Sequence, residues 1–301
     1  MHNYLVIDVG GTAIKYAIMN TNLTIDEKGS MPTPLEGLAA FTETLEQLIF
    51  KYRDRVDGVA MSMPGLVNSK EAYMYTGGAM DSFLHEYPLG KVLAEKTGLP
   101  VTIENDGRCA ALAEVWKGNL CDCQDGIVIV IGTALGGAII KDRQIHQGKH
   151  FAAGDLSCIL LGDDYTDLRS CWGSVNGNYH LREMVGQAKG ISADMLDGIK
   201  IFEMANAGDQ EVLKALDQFF FTLAKQIYNL QMIYDPDRVL IGGGISVQPL
   251  VKTLIQKKLD AIFDNIPLNV HPTDLQCCKF LSEANLVGAL KHHLDIRNIA
   301  N

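Results

Sequence analysis

The chain has 301 residues, of which 47% are hydrophobic and 21% are charged, and its formal net charge is -10. This length suffices for two domains, and the negative charge argues against nucleic acid and anionic membranes as partners. No apolar run is long enough to span a bilayer, and the first residues show no signal-peptide pattern. Because the seven cysteines are scattered, we expect a reduced, cytoplasmic protein.

The first part of the sequence predicts three successive strands, followed by helices that alternate with two further strands. The predicted strands are Tyr4–Asp8, Ile14–Asn20, Thr24–Lys28, Gly58–Gly65 and Pro100–Asn105. The predicted helices are Leu35–Tyr52, Pro88–Gly98 and Ala110–Lys117, with a polar loop over Asn68–Ser82. A meander at the start excludes a Rossmann beginning, in which a helix follows the first strand.

The second part repeats this pattern and includes an irregular stretch rich in glycine and aspartate. The predicted elements are a strand over Gly126–Gly132, a hairpin over Gly136–Gly148, irregular structure over Lys149–Asn178, helices over Tyr179–Gln187, Asp194–Ala207 and Gln210–Tyr234, a strand and turn over Arg238–Ser246, a helix over Pro249–Phe263, a strand over Cys278–Ser282 and a helix over Ala284–Leu294. The repetition predicts two similar α/β lobes with a cleft between them. We expect them at residues 1–117 and 118–283, with the closing helix, about 284–301, returning to the first lobe.

Three glycine turns each follow a predicted strand. They are IDVGGTAIK (Ile7–Lys15), IGTALGG (Ile131–Gly137) and LIGGGIS (Leu240–Ser246). Glycines at such places let backbone amides approach a phosphate closely, although each turn alone could equally be a tight hairpin or a structural turn. The sequence contains neither a Walker A run nor a G-x-G-x-x-G run after a strand. Three such turns in this order favour a nucleotide site.

A fourth motif, TIENDGRCAA (102–111), lies where a predicted strand passes into a predicted helix. Asn105 or Asp106 could cap this helix, and Asp106 could instead accept a proton as a catalytic base. We expect Glu104 to support the turn rather than to take the proton. Arg108 could form an ion pair on the surface or line the cleft, and the sequence favours neither.

The order DxGGT, END, GTxxGG and GGG, with the closing EANLVGAL, resembles the ROK family of repressors and sugar kinases over about Tyr4–Leu294. The resemblance implies an α/β, two-lobed, actin-like or ribonuclease H-like ATPase fold with an active-site cleft between the lobes. It implies that ATP contacts Asp8, Gly10, Gly11, Thr12, Gly132, Thr133, Gly242, Gly243 and Gly244, with Asp8 near Mg²⁺. Lys15 is a further candidate for binding ATP, although it lies on a predicted strand and could simply be exposed there. It implies that the sugar contacts Pro64, Gly65, Asn105, Asp106 and Asp155, with Asp106 as the base.

One departure from the family pattern concerns its G-E-x-G-H and zinc motifs. Here AGDLSC places Asp155 where the family has Glu and Cys158 where it has His. A shorter acid and a smaller thiol leave room at the anomeric end of the sugar, which suggests a β-glucoside as substrate. The possible zinc ligands lack close C-x-C or C-x₂-C spacing, so we expect no structural zinc. They are Cys158, Cys171, His146, His150 and His180.

The resulting hypothesis is an ATP-dependent kinase for a sugar hydroxyl, the 6-OH of a hexose or of a β-glucoside such as cellobiose. Alternative substrates are glucose, fructose and N-acetylated hexosamines, and alternative functions are a non-catalytic sugar sensor and a repressor. A repressor needs a helix-turn-helix, and the phosphate turn already begins at Asp8. The family likeness suggests a homodimer. His292 and His293 are expected on the solvated surface.

Overall fold

The computed structural model describes residues 2–266 and 271–299. These residues form two compact units, the first lying within Met1–Trp116, Gln147–Ala152 and Glu283–Asn301, and the second within Lys117–His146 and Ala153–Ser282. The last two residues of the expected closing helix, 300 and 301, lie outside the described residues. That residues 1–117 and 118–283 fold as two separate domains stays a prediction.

A mixed five-stranded sheet forms the centre of the first unit. Its strands are β1 (Asn3–Val9), β2 (Ala13–Asn20), β3 (Ile25–Pro32), β4 (Val59–Met63) and β7 (Val101–Asn105), and a separate hairpin joins β5 (Val67–Asn68) to β6 (Tyr73–Met74). The sheet order is β3-β2-β1-β4-β7, in which the first two pairs are antiparallel and the last two are parallel. The carboxyl ends of β1, β4 and β7 therefore meet at one edge.

The second unit repeats this topology. Its strands are β8 (Gly126–Ile131), β9 (Leu135–Lys141), β10 (Gln144–Ile145), β11 (Arg238–Gly242) and β12 (Leu275–Cys277). Their order is β10-β9-β8-β11-β12, again with two antiparallel pairs followed by two parallel pairs. The repetition predicted from the sequence is confirmed in strand order. The glycine turns after β1 and β8 occupy equivalent places in the two sheets.

Helices with apolar residues at helical spacing cover the sheets. They are α1 (Leu38–Tyr52), α2 (Leu89–Thr97), α3 (Asp106–Lys117), α4 (Trp172–Val175), α5 (Asn178–Lys189), α6 (Gly198–Asn206), α7 (Gln210–Tyr234), α8 (Pro249–Asn265) and α9 (Ala284–Ile296). In the first unit, α9 packs on β1, β4 and β7. Within the described residues, 2–266 and 271–299, no helix has both the length and the apolar character needed to cross a membrane.

Several predicted boundaries are wrong. The third helix begins at Asp106 and not at Ala110, because the side chain of Asn105 already accepts a hydrogen bond from the backbone N–H of Arg108. The last strand is Leu275–Cys277 and not Cys278–Ser282, and the side chain of Leu281 is half exposed. The loop 68–82 contains a short strand, β6, that pairs with β5.

The helix predicted over Asp194–Ala207 begins only at Gly198. The carboxylate of Asp197 accepts a hydrogen bond from the backbone N–H of Lys200 at 2.8 Å and so caps the helix at this point. The preceding residues, Ala193–Met195, form a separate short helical turn. The prediction missed this boundary because the apolar spacing continues through the turn.

Candidate active site

The carboxyl edge of the first sheet brings three sequence motifs together. Asp8 lies near the end of β1, and its Oδ1 accepts hydrogen bonds from Ser62 Oγ at 2.9 Å and from Asn285 Nδ2 at 3.0 Å. Ser62 is on β4 and fully buried, and Asn285 is in the first turn of α9. The Asp8 carboxylate is therefore fixed by two other elements of the same unit. The sequence analysis missed both donors, although Asn285 lies inside the closing EANLVGAL motif.

The turn after β1 is held by backbone contacts. The N–H of Gly10 donates to the carbonyl of Ala13 at 3.0 Å, and the carbonyl of Gly10 accepts from Thr33 Oγ1 at 2.6 Å. Gly11 and Thr12 are exposed at the tip of this turn. A fixed turn with an exposed tip is suited to present backbone amides to a phosphate.

Lys15, which was expected to bind ATP, lies on β2 and not on the turn. It is directly opposite Asp8 in the strand register, and its side chain is exposed. A phosphate contact by its flexible ammonium group stays a prediction.

The END turn joins β7 to α3. Asn105 caps the helix, since its Oδ1 accepts from the N–H of Arg108 at 3.1 Å. Its Nδ2 donates to the carbonyl of Gly65 at 3.0 Å and to Asp106 Oδ1 at 3.1 Å. The Asp106 Oδ1 also accepts from the N–H of Gly107 at 2.8 Å. The cap and the candidate base are therefore two neighbouring residues, Asn105 and Asp106.

These contacts place four predicted sugar residues in one part of the first unit. Gly65 follows β4 after Pro64, and Asn105 ends β7 just before Asp106. The Asn105–Gly65 hydrogen bond joins the two chain segments directly. Asp106 stands in the first turn of α3, where the helix dipole favours a negative charge.

A buried polar network lies behind this turn. Glu104 is 1% exposed, and its Oε1 accepts from the N–H of Asn105 at 2.8 Å and from Arg108 Nη1 at 3.4 Å. Its Oε2 accepts from Gln147 Nε2 at 3.1 Å. Arg108 is 4% exposed and also donates to the carbonyl of Phe151. The surface alternative for Arg108 is therefore wrong, and the contacts of Glu104 agree with a supporting role.

We call residues Gln147–Ala152 the strap, because this segment returns from the second unit to the first. Gln147 Nε2 donates to Ser69 Oγ at 2.7 Å as well as to Glu104, and Arg108 binds the strap at Phe151. The strap is thus tied to the END turn through two side chains. The sequence gives no local signal for such a long-range contact.

Negative charge concentrates around the buried thiol of Cys109, one turn into α3. Burial raises the pKa of this thiol, and the carboxylates of Glu104, Asp8 and Asp106 raise it further. The three carboxylates therefore act on one small region of the first unit.

The expectation that His292 and His293 lie on the surface is wrong. Their side chains are 7% and 1% exposed, on the face of α9 that packs on the first sheet. His293 Nδ1 lies 2.9 Å from Thr102 Oγ1, and its ring is 5.2 Å from the ring of Tyr4. An imidazole has an apolar body, so a run that looks polar in sequence can fill a core.

Burial of His293 should make the stability of the protein depend on pH. Burial, with the nearby charges of Arg297 and His292, lowers the pKa of His293 from 6.5 to about 4. The unfolded chain therefore binds a proton in this range that the folded chain does not, and stability falls as the pH drops from 6.5 towards 4, by up to roughly 3 kcal/mol. Urea unfolding at pH 7.5 and pH 4.5 measures this loss. A His293→Gln variant should lose less stability than the parent, and an equal loss would contradict the assignment.

In the second unit, the two remaining glycine turns lie side by side. Gly132 and Thr133 follow β8, and Gly242–Gly244 follow the neighbouring strand β11. Gly243 has φ +93°, and a Cβ at this position would lie 2.2 Å from the carbonyl oxygen of Ile131. Only glycine allows this close approach.

Helix α5 begins directly on the first of these turns. The backbone N–H groups of Asn178 and Tyr179 donate to the carbonyls of Gly132 and Thr133 at 2.9 and 3.3 Å. Thr133 and Gly244 are exposed. The structure therefore brings together, within one unit, all five residues expected there to bind ATP: Gly132, Thr133, Gly242, Gly243 and Gly244.

Asp155 belongs to the second unit and not to the unit of the other predicted sugar residues. It is exposed, and its carboxylate accepts hydrogen bonds from Ser157 Oγ and from the Cys158 thiol, the latter at 3.7 Å. Its predicted contact with the sugar stays a prediction. Within residues 2–266 and 271–299, no three His, Cys, Asp or Glu side chains are grouped so as to hold a metal ion.

Comparison with known proteins agrees with this assembly of motifs. The ROK family profile matches residues 4–295. The beta-glucoside kinase of Klebsiella pneumoniae is 31% identical over 295 residues, which cover 95% of this chain and 94% of that protein. The glucokinase of Halalkalibacterium halodurans is 28% identical over 81% of this chain and 80% of that protein.

Solved structures give the same result. A ROK family protein from Streptococcus pneumoniae TIGR4 in complex with sucrose is 28% identical, with a TM-score of 0.87 over 98% of this chain and 99% of that chain. A ROK glucokinase from Streptomyces griseus with glucose and AMPPNP has a TM-score of 0.83 at 23% identity, over 95% and 97% of the two chains, and shows the fold alone. The expected two-lobed, actin-like ATPase fold is confirmed. The chain therefore belongs to the ROK family, as a sugar kinase, a phosphotransferase with an alcohol group as acceptor.

Proposed function

We propose that this protein transfers the γ-phosphate of ATP to the 6-OH of a hexose unit in a β-glucoside such as cellobiose. The END turn is the observation on which this proposal rests, since it places a carboxylate at the carboxyl edge of the sheet beside a loop that Asn105 holds. The beta-glucoside kinase relative and the sucrose-bound neighbour support an acceptor with more than one ring. Asp155 and Cys158 stand where the family has Glu and His, and their smaller side chains support a substrate whose anomeric oxygen is substituted.

In this proposal, Asp106 accepts the proton of the sugar hydroxyl while the hydroxyl oxygen attacks the γ-phosphorus. The bond from the γ-phosphorus to the bridging oxygen breaks, and ADP leaves. Asn105 binds a neighbouring hydroxyl, and Pro64, Gly65 and Asp155 complete the sugar site. Holding the nucleophile in line with the phosphate, and accepting its proton, are the main tasks of a protein in this reaction.

The glycine turns are proposed to bind ATP. In the first unit Gly10, Gly11 and Thr12 would donate to phosphate oxygens, with Lys15 as a further contact. In the second unit the paired turns, Gly132–Thr133 and Gly242–Gly244, would bind the rest of the nucleotide. These turns supply donors without adding positive charge, which agrees with a chain of net charge -10.

The carboxyl edge of the first unit fits Mg²⁺. Asp8 would hold the ion, because Mg²⁺ is usually bound by one or two carboxylates together with substrate phosphates. When bound, Mg²⁺ neutralises charge on the phosphates. Structural zinc is not part of the proposal.

A coupled assay for ADP release tests the proposed activity. The purified protein is mixed with ATP, Mg²⁺ and a panel that includes glucose, fructose, N-acetylglucosamine, sucrose and cellobiose. We expect the highest kcat/KM with cellobiose. Phosphorylation of glucose alone would favour the second candidate, a monosaccharide kinase, for which the glucokinase relative is the supporting observation. No product with any sugar would contradict the kinase proposal and favour a sensor.

Two further expectations accompany the proposal. A homodimer, suggested by the family likeness, can be tested by sedimentation. The cytoplasmic location can be tested by fractionating cells. The activity proposed above depends on neither.

A further inference from the structure

Three aromatic rings form a row in the first unit, outside the residues assigned so far. The rings of Tyr73 and Tyr75 are 5.3 Å apart, and the rings of Tyr75 and Phe151 are 6.2 Å apart. Tyr73 and Tyr75 are two residues apart along an extended segment, so they share one face, while Met74 between them is fully buried. All three rings are half buried. The row therefore presents apolar ring surface that the core does not fully cover.

Two of the three residues of this aromatic row are tied to the predicted sugar residues. The N–H of Tyr75 donates to the carbonyl of Leu66 at 2.9 Å, one residue after Gly65. The guanidinium of Arg108, two residues after Asp106, donates to the carbonyl of Phe151 at one end of the row. The row thus lies beside the END turn and the Pro64–Gly65 loop, and is held by the same contacts.

The backbone at Phe151 is strained. Its φ is +59°, a left-handed value that a bulky residue rarely adopts. Such residues persist where the surrounding structure determines them, and they concentrate at ligand sites. Here Arg108 holds the carbonyl of Phe151, and Gln147 holds the start of the strap on Ser69 and Glu104. In this conformation the Phe151 ring lies 6.2 Å from the ring of Tyr75.

We propose that Tyr73, Tyr75 and Phe151 form a subsite for the aglycone of a β-glucoside, the second sugar ring or an aryl group on the anomeric oxygen. This inference rests on the proposed function. The ring that is phosphorylated needs polar contacts to its hydroxyls, which Asn105 and Asp106 can make. A second ring offers the C–H groups of its face, and aromatic side chains are the usual lining for such an apolar surface. The subsite would make the enzyme prefer β-glucosides to free glucose.

Two substitutions test the subsite, Tyr75→Leu and Phe151→Leu. Each should lower kcat/KM for cellobiose about tenfold while the value for glucose and the KM for ATP change less than twofold. Phe151→Tyr retains the ring and should retain the preference for cellobiose. The control Phe50→Leu removes an aromatic ring on α1 from a residue that is 48% exposed, and it should change kcat/KM for neither sugar. Equal losses for cellobiose and glucose, or no loss for either, would overturn the subsite.

Calorimetric binding of cellobiose and glucose without ATP provides a readout that does not need catalysis. The parent protein should bind cellobiose more tightly than glucose, and Tyr75→Leu should remove most of this difference. If the parent binds cellobiose in this way but phosphorylates nothing, the kinase proposal fails while the subsite stands. If the parent phosphorylates sugars but binds both equally, the subsite fails while the kinase proposal stands. Thermal melting of each variant shows whether the fold is retained.

Discussion

Replacing Asp106 by asparagine should lower kcat by about 10²–10⁴-fold, because the variant has no group that can accept the proton of the sugar hydroxyl. An amide oxygen can still accept the hydrogen bond that the N–H of Gly107 donates, so helix α3 should still begin at the same residue. Asn105 retains its contact with Gly65. We therefore expect a folded protein that binds the sugar within a few-fold of the parent and turns it over very slowly.

The measurement is the steady-state rate with the best substrate of the panel, together with calorimetric sugar binding and thermal melting. Asp54→Asn is the matched control, since Asp54 is an exposed aspartate of the same unit. It removes the same charge and should leave kcat unchanged. Turnover of the Asp106→Asn variant at the parent rate would show that another group takes the proton or that the transfer needs no base.

Replacing Gly288 by alanine should destabilise the first unit by about 3 kcal/mol or more. Helix α9 approaches α3 so closely here that a Cβ would lie 1.7 Å from the carbonyl oxygen of Cys109. One of the two helices must move, and both hold active-site residues, Asn285 on α9 and Asp106 on α3. The direction of the change in the free energy of unfolding is informative. In an unobstructed helix, alanine in place of glycine would instead stabilise the protein by roughly 0.5–1 kcal/mol.

Differential scanning calorimetry should show a Tm lowered by roughly 6–12 °C. Gly136→Ala is the control, because a Cβ at Gly136 would meet no atom within 4 Å. The Tm of that variant should equal the Tm of the parent protein. A Gly288→Ala variant as stable as the parent would mean that α9 does not pack against α3 in solution as closely as described.

Much of the fold and the candidate site could be predicted because the signals are local. Apolar runs that end in glycine or in END locate the carboxyl ends of β1, β4, β7, β8 and β11, and the structure gathers these ends at one edge of each sheet. Helix α7 was predicted with its observed bounds because its apolar stripe is continuous, and in the structure Asp209 caps its start. The repeated pattern of strand, glycine turn and hairpin predicted two similar lobes, and the two sheets have equivalent strand orders.

The features that were missed depend on contacts between residues far apart in sequence. His292 and His293 look polar, but α9 encloses them against the sheet. The hydrogen bonds from Ser62 and Asn285 to Asp8 join three separate elements. The strap reaches the END turn through Arg108 and Gln147; Arg108 lies in the END motif, but nothing in the sequence marks Phe151 or Gln147 as its neighbours. Periodicity cannot reveal such pairings, because it describes one element at a time.

The discontinuous first unit has a consequence for biosynthesis. The sheet β3-β2-β1-β4-β7 is translated early, but α9, which packs on β1, β4 and β7, is translated only after the whole second unit. Until the ribosome has made residues up to Ile296, part of this sheet has no cover, and Asp8 lacks its contact with Asn285. The second unit can complete its core first, so the part of the enzyme that bears the proposed base is the last to mature, and it is the part most exposed to chaperones and to aggregation during synthesis.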